Sequence, residues 1–122
     1  MLSSLWLAVV PVLLLSATSS AQSGQNHPPL RVGIVGLVHG HVHGFLQQSR
    51  HSPQIEIVGI SDSDRQLLAQ TASKYGFDQA QLFTDLDAMI AKTHPQAVLV
   101  YTSTYDHRSV VETCARRGVH VM

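Results

Sequence analysis

The chain has a single cysteine, Cys114, among 122 residues, and its charges cancel, with eight Lys and Arg against eight Asp and Glu. One thiol cannot form an internal disulfide, so a disulfide-rich scaffold is excluded, as is a zinc site built from cysteines. The balanced charge gives no reason to expect nucleic acid or an anionic membrane as a partner. The length suffices for one small domain but not for two.

Only one long apolar run is present, and it lies at the N-terminus. It extends from Leu5 to Leu15, and small residues follow it. Ser19 and Ala21 satisfy the small-x-small rule, so residues 1–21 are predicted to be a signal peptide cleaved after Ala21. The run is shorter than the roughly 20 apolar residues of a membrane-spanning helix, which makes a retained anchor the weaker alternative. We therefore expect an exported protein, periplasmic or secreted.

The remainder divides into a short leader and a folded part. Residues 22–29 are polar and end in Pro-Pro, which is typical of a flexible leader. From residue 30 onward, buried-strand patterns alternate with helical patterns. The predicted strands are Arg31–Val35, Ile55–Ile60, Gln81–Phe83, Ala97–Tyr101 and Val119–Met122. Helices of this length between strands give right-handed crossovers, so we expect an α/β fold with a doubly wound parallel sheet and a central first strand.

The first predicted strand leads into a segment rich in glycine and histidine, LRVGIVGLVHGHVHGF, over Leu30–Phe45. A dinucleotide-binding βα unit needs this order of strand, glycine turn and helix start, because free N–H groups at the helix start can hold a pyrophosphate. Against the fingerprint G-x-G-x-x-G, Gly36 matches the first glycine, whereas Val38 and His41 occupy the other two positions. Gly40 would serve as the third glycine in a loop shifted by one residue. Alone, this match is equally compatible with a turn that binds nothing.

Two further polar segments follow predicted strands. Asp62 lies 21 residues after His41, and the fingerprint places an acid that accepts from the ribose hydroxyls about 20 residues on. The segment TSTYDH, 102–107, follows the strand AVLVY, so its hydroxyls and imidazole are expected where strand ends border a binding crevice. The plainer alternatives are that Asp62 caps a helix or lines a turn, and that Asp106 is the N-cap of the next helix.

Three of the eight histidines, His39, His41 and His43, alternate along the chain. Neutral imidazoles are good ligands for zinc or copper. In an extended segment all three would share a face, whereas in a helix only His39 and His43 would. A metal site usually needs a third or fourth ligand, which His107 or a nearby aspartate would have to supply. We favour polar residues lining a crevice over metal ligands, and assign no metal site.

Together these segments resemble the N-terminal domain of the Gfo/Idh/MocA oxidoreductases, the glucose–fructose oxidoreductase and inositol dehydrogenase group. VGIVG matches their first strand and turn, and VGISD matches their second strand ending in an acid. AVLVYTSTYDH matches their strand followed by T-P-N-x-x-H, with Thr102 and His107 in place. GVHVM matches G-x-H-V, which in the family leads into an E-K-P motif.

The resemblance implies a Rossmann domain over residues 30–122 that binds NAD or NADP, and hydride transfer between the nicotinamide and a sugar or cyclitol. In the family a larger α/β substrate domain usually follows and also oligomerises. His107 is the catalytic candidate, through substrate positioning. The expected cofactor-binding residues are Gly36, Val38, His39, Gly40, His41, Asp62, Thr102, Ser103 and Thr104. Asp62 favours NAD, because a carboxylate repels a 2′-phosphate, although the nearby Arg65 weakens that inference.

Several positions depart from the family pattern. Val38 and His41 replace glycines, and Ser103 replaces a proline. The sequence stops before E-K-P, so the lysine that the family uses at its catalytic site and the C-terminal substrate domain are expected to be missing. We therefore expect a fragment with little turnover, which would form a homo-oligomer only through the missing domain. The alternative is an exported, non-redox binding module that uses the three alternating histidines for a metal or a polar ligand.

Overall fold

The structure is a computed structural model that describes residues 27–122, so the predicted signal peptide and most of the leader lie outside the described residues. The strands are β1 Leu30–Val35, β2 Ile55–Ser61, β3 Leu82–Phe83, β4 Ala97–Val100 and β5 His120–Val121. The α-helices are α1 His41–Ser49, α2 Arg65–Tyr75, α3 Leu86–Thr93 and α4 Thr104–Arg116. Among residues 27–122, no helix has the length and apolar character needed to cross a bilayer.

All five strands form one parallel sheet in the order β3-β2-β1-β4-β5. The α/β class, the parallel sheet and the central first strand are thereby confirmed. From β1 the chain builds outward to β2 and β3, and then returns to add β4 and β5 on the other side. This reversal between β1 and β4 creates a crevice at the carboxyl ends of these strands, where ligands bind in open α/β sheets.

The helices cover both faces of the sheet and enclose two hydrophobic clusters. One cluster packs α1 and α2 onto the sheet, and it contains Ile34, Leu37, Val42, Leu46, Ile60, Leu68 and Tyr75. The other packs α3 and α4 onto the opposite face, and it contains Val35, Met89, Ile90, Val98, Val110 and Cys114. Strands buried on both faces explain why the sequence shows continuous apolar runs rather than alternation.

Helix capping decides where two helices begin. Asp64 caps α2, because its Oδ1 accepts from the N–H groups of Gln66 and Leu67 at 2.9 and 3.0 Å. The alternative that Asp106 caps α4 is wrong, since Ser103 is the N-cap and the helix begins at Thr104. Asp106 instead lies in the first turn, where a carboxylate stabilises the positive end of the helix, and it accepts from the Ser103 hydroxyl at 2.7 Å.

Two glycines in neighbouring strands let α3 approach the sheet closely. Gly33 of β1 is paired with Gly59 of β2, and together they form a notch that receives the fully buried side chain of Met89. A Cβ atom at Gly33 would lie 2.7 Å from Met89 Cε, and one at Gly59 would lie 2.8 Å from Met89 Cγ. We call this pair the glycine notch; it explains why these strands carry glycine where a buried strand favours β-branched residues.

Candidate functional site

A cleft opens at the carboxyl ends of the strands, at the point where the strand order reverses. Its walls come from the segments that follow four different strands. They are Val35, Gly36, Val38, Ser61, Asp62, Ser63, Thr84, Asp85, Leu86, Thr102, Ser103 and Asp106. We call it the strand-end cleft. Because its walls combine backbone turns, hydroxyls and carboxylates, it suits a polar ligand better than an apolar one.

Gly36 forms the floor of the cleft. Its φ of +84° lies in the left-handed region, and its N–H donates to the Ser61 carbonyl at 2.8 Å. A Cβ atom at this position would lie 2.6 Å from the Thr102 nitrogen and 2.7 Å from the Tyr101 carbonyl carbon. Since these atoms belong to the backbone, they cannot move aside as a side chain would. Gly36 therefore brings the turn after β1 into direct contact with the turn after β4.

Asp62 ties the cleft together from the end of β2. Its Oδ2 accepts from the Leu37 N–H and its Oδ1 accepts from the Asp64 N–H, both at 2.8 Å. Its own N–H donates to the Phe83 carbonyl at 3.0 Å. The residue is 9% exposed. Asp62 thus links the segments that follow β1 and β2 with the end of β3, while one edge of it faces the cleft.

Thr102 places an unpaired hydroxyl in the wall opposite. Its Oγ1 is buried and has no hydrogen-bond partner among residues 27–122. Buried polar groups are nearly always paired, because an unpaired one loses its interaction with water without replacement. A glycine floor that permits close approach, beside a hydroxyl that lacks a partner, fits a site that a polar ligand completes. The residues present therefore fit the diphosphate and ribose groups of a dinucleotide.

The structure divides the predicted site residues into two groups. Gly36, Val38, Asp62, Thr102 and Ser103 line the cleft. The others lie beside it, with exposed side chains or backbone at the starts of α1 and α4. They are His39, Gly40, His41, Thr104 and His107. The catalytic role of His107 and the cofactor contacts of all these residues stay predictions.

The two non-glycine positions of the fingerprint do not block the cleft floor. Val38 is 73% exposed and projects from the wall, and His41 begins α1 with an exposed side chain. Gly40, which we considered as a shifted third glycine, has no atom of residues 27–122 within 4 Å of where its Cβ would lie. Close packing in this loop thus depends on Gly36 and does not require glycine at position 40.

The three alternating histidines do not converge. The rings of His39 and His41 stack with their centroids 5.7 Å apart, whereas His43 turns toward α2, where its Nδ1 lies 3.1 Å from the Tyr75 hydroxyl oxygen. In the part of the chain that the structure describes, no group of three or more His, Cys, Asp or Glu side chains could hold a metal ion. The metal-binding alternative is therefore not favoured.

Sequence reasoning missed the wall that follows β3. Thr84 and Asp85 line the cleft, and Asp85 also caps α3 by accepting from the Ala88 N–H at 2.9 Å. Asp85 is a residue type typical of a helix cap, but the sequence does not mark a place for it in the site, because β3 has only two residues. The signal that would have placed it is the pairing of β3 beside β2, which brings its end next to Asp62.

Cys114 is a titratable residue that lies outside the strand-end cleft. It is fully buried on α4, and burial, followed by the charge of Asp87, raises the pKa of its thiol above the ordinary value of 9.0. Because the folded state holds the proton more tightly, the stability contributed by Cys114 is present below pH 9 and declines as the pH rises above it. The thiol is therefore a packing group, as its spacing with Val110 and Val111 suggests.

At pH 8, we expect Cys114 to react with a thiol reagent at least about a hundred-fold more slowly in the native protein than in the urea-unfolded chain. The reaction requires both the thiolate form and access of the reagent to the sulfur. Counting reacted thiols over time with a chromogenic disulfide measures this. A Ser73→Cys variant, at an exposed position of α2, should add one fast-reacting thiol. Fast reaction of both thiols in the native variant would contradict the burial of Cys114.

Comparison with known proteins shows which family has this fold. A family model described as an oxidoreductase family with an NAD-binding Rossmann fold, GFO_IDH_MocA, matches residues 30–122. Similar solved structures include the WlbA dehydrogenase from Bordetella pertussis in complex with NADH and UDP-GlcNAcA, at 24% identity and a TM-score of 0.66, covering 76% of this chain and 28% of that one. No curated protein matches the chain at a significant level.

Two further structures are similar. The scyllo-inositol dehydrogenase from Lactobacillus casei, with bound NAD(H) and scyllo-inositol, has 20% identity and a TM-score of 0.62, covering 76% of this chain and 27% of that one. A probable dehydrogenase from Thermotoga maritima has 29% identity and a TM-score of 0.61, and the match covers 75% of this chain and 26% of that one. The chain thus spans about a quarter of the length of these proteins. It belongs to the Gfo/Idh/MocA oxidoreductase family, of which residues 30–122 are the NAD-binding Rossmann domain.

Proposed function

We propose that this chain is the coenzyme-binding part of an exported Gfo/Idh/MocA-type oxidoreductase that transfers hydride between a nicotinamide and a sugar or cyclitol. One observation carries the proposal: at the point where the strand order reverses, the left-handed Gly36 turn packs against the backbone before Thr102, whose buried hydroxyl has no hydrogen-bond partner among the described residues. A dinucleotide binds at this position of a Rossmann sheet.

The walls of the strand-end cleft suggest how the coenzyme would lie. The diphosphate would rest on the Gly36 turn, the adenosine ribose would lie toward Asp62, and the nicotinamide would lie toward Thr102 and Ser103. NAD, when bound, supplies the carbon that accepts or donates the hydride. The residues of this chain would bind the coenzyme and hold that carbon toward the substrate. His107, exposed on α4, would act only in positioning the substrate.

Charge in the cleft favours NAD over NADP. Three carboxylates, Asp62, Asp85 and Asp106, lie among the wall residues, and the part of the chain that the structure describes contributes no Lys, Arg or His to this wall. A 2′-phosphate would add a dianion near Asp62 without a cation to balance it, and like charges several ångströms apart repel. Arg65 is exposed at the start of α2, outside this wall. We therefore infer that NAD is the preferred coenzyme.

The substrate would be a polyhydroxylated compound. The WlbA dehydrogenase is in complex with UDP-GlcNAcA, a nucleotide sugar, and the Lactobacillus casei dehydrogenase has scyllo-inositol bound. Since the matched part of this chain covers only 27–28% of these proteins, substrate binding, turnover and any homo-oligomer would depend on parts of the protein beyond the described domain.

Titration with NADH and NADPH, followed by nicotinamide fluorescence, tests the proposed function. We expect NADH to bind, and NADPH to bind at least about ten-fold more weakly, with a difference that shrinks as salt screens the carboxylates. Zinc titrated into the same protein serves as the control for the histidine-based alternative. Zinc binding by a folded protein that does not respond to either nucleotide would contradict the proposal.

Export has its own test. Residues 1–21 would direct secretion and be removed by cleavage after Ala21, as the pattern of small residues predicts. Expression of the whole chain in a bacterial host, followed by fractionation and N-terminal sequencing, should give a product that begins at Gln22 in the periplasm or medium. An uncleaved product that stays with the membrane would support the retained anchor instead.

A further inference from the structure

We propose that Asp62 acts on the coenzyme chiefly by holding the turn at Gly36 and Leu37 in the shape that receives the diphosphate. This proposal rests on the proposed function, since it assigns a task to a residue of that same cleft. The sequence places Asp62 beside the ribose. The structure instead shows each of its carboxylate oxygens accepting a backbone N–H at 2.8 Å.

The contact with Leu37 is the important one. Leu37 is 3% exposed and packs with the cluster beneath α1 and α2. Its N–H is therefore removed from water, and Asp62 Oδ2 is the acceptor that the structure gives it. A buried N–H left without an acceptor costs more than an ordinary hydrogen bond gains. Leu37 directly follows Gly36, so loss of this bond would release the turn on which the diphosphate rests.

The second oxygen extends the contact to another segment. Oδ1 accepts from the Asp64 N–H, in the segment that leads into α2. The adjacent Gly36 N–H donates to the Ser61 carbonyl at 2.8 Å. The turns after β1 and β2 are thus fixed to each other through one nearly buried carboxylate. This arrangement holds the turn before any ligand binds, which lowers the entropy lost on binding.

The chemistry separates this positioning role from a role at the ribose. Both donors on Asp62 are N–H groups, so both side-chain oxygens must accept. Asparagine has one oxygen and one NH₂ group, and the NH₂ would face an N–H donor on one side. A ribose hydroxyl both donates and accepts, so it would tolerate asparagine. Asp62→Asn therefore loosens the turn under our proposal, whereas it would have little effect if Asp62 served the ribose alone.

Amide hydrogen exchange in the free protein tests the proposal, with Asp64→Asn as a matched control. Asp64→Asn removes the same charge two residues away, but asparagine still caps α2 and the Asp64 backbone N–H stays in place. We expect Asp62→Asn to speed exchange of the Leu37 amide by about ten- to a hundred-fold relative to Val98 in the central sheet, since the bond is to a charged acceptor. The Asp64→Asn control should change the exchange rate of the Leu37 amide by less than about two-fold. Equal exchange in the two variants would overturn the proposal.

A measurement on the unaltered protein covers the case in which Asp62→Asn does not fold. A scalar coupling across the hydrogen bond, between the Leu37 amide nitrogen and the Asp62 side-chain carboxyl carbon, should be observable. Absence of that coupling in a well-resolved spectrum would overturn the proposal. Neither this measurement nor the exchange experiment requires a bound coenzyme, so their failure is distinct from failure of the proposed function.

Two ligand fragments complete the test. Adenosine carries the ribose without the diphosphate, whereas ADP carries both. We expect Asp62→Asn to weaken the binding of ADP about ten-fold and that of adenosine by less than about two-fold, because under the proposal the turn contacts only the diphosphate. An equal loss for both fragments would assign Asp62 to the ribose and overturn the proposal. If the unaltered protein bound neither ADP nor NADH, the proposed function would fail and with it the action of Asp62 on a coenzyme.

Discussion

Replacing Gly36 with alanine is expected to lower the free energy of unfolding by more than about 3 kcal/mol and to abolish NADH binding. Two independent costs add at this position. A φ of +84° strains any residue with a Cβ atom, and that atom would lie 2.6 Å from the Thr102 nitrogen. The turn would have to move away from the strand end beside it. That movement would open the cleft floor, where we propose that the diphosphate binds.

Two other glycines make the experiment interpretable. Gly76 has a φ of +75° but nothing within 4 Å of its Cβ position, so Gly76→Ala measures backbone strain alone, at about 1 kcal/mol. Gly40 is neither strained nor crowded by the described residues, so Gly40→Ala should leave the free energy of unfolding nearly unchanged. Urea denaturation and NADH titration of the three variants measure both effects. If Gly36→Ala lowered the free energy of unfolding no more than Gly76→Ala does, the close contact with the backbone before Thr102 would not contribute to the loss of stability.

The fold could be predicted from the sequence because each local signal agreed with the global arrangement. Continuous apolar runs marked strands buried on both faces. Asp64 and Gly76, which flank α2, are residue types typical of a helix N-cap and of the position after a helix. The alternation of strands and helices then left few parallel topologies. Asp106 was the exception among the caps, because a carboxylate suits both the N-cap and the first turn of a helix.

The site was less predictable, since its walls depend on contacts between distant segments. Nothing local shows that both Asp62 oxygens accept from N–H groups, because one donor is 25 residues away. Likewise, which of the alternating histidines share a face depends on where α1 begins, and it begins at His41. Thr84 and Asp85 enter the cleft only because β3 pairs with β2. The register of the strands and the positions where helices begin thus determine which residues line the site more than residue types do.

The glycine notch gives the second large prediction. Gly59→Ala is expected to lower the free energy of unfolding by about 2–3 kcal/mol, because the new methyl group overpacks the core. It would lie 2.8 Å from Met89 Cγ and 3.3 Å from Phe83 Cε2. Gly33→Ala should cost less, about 1 kcal/mol, since its nearest neighbour is the flexible end of the same methionine, Met89 Cε at 2.7 Å.

A double-mutant cycle shows whether the cost comes through Met89. Met89→Ala alone removes a fully buried side chain and should lower the free energy of unfolding by about 2–5 kcal/mol through the cavity it leaves. In the double variant the new methyl group at position 59 would enter that cavity instead of clashing. The two changes should therefore cost at least about 1 kcal/mol less together than the sum of each alone. Strict additivity in urea denaturation would mean that the backbone of β2, rather than its contact with α3, requires glycine at position 59.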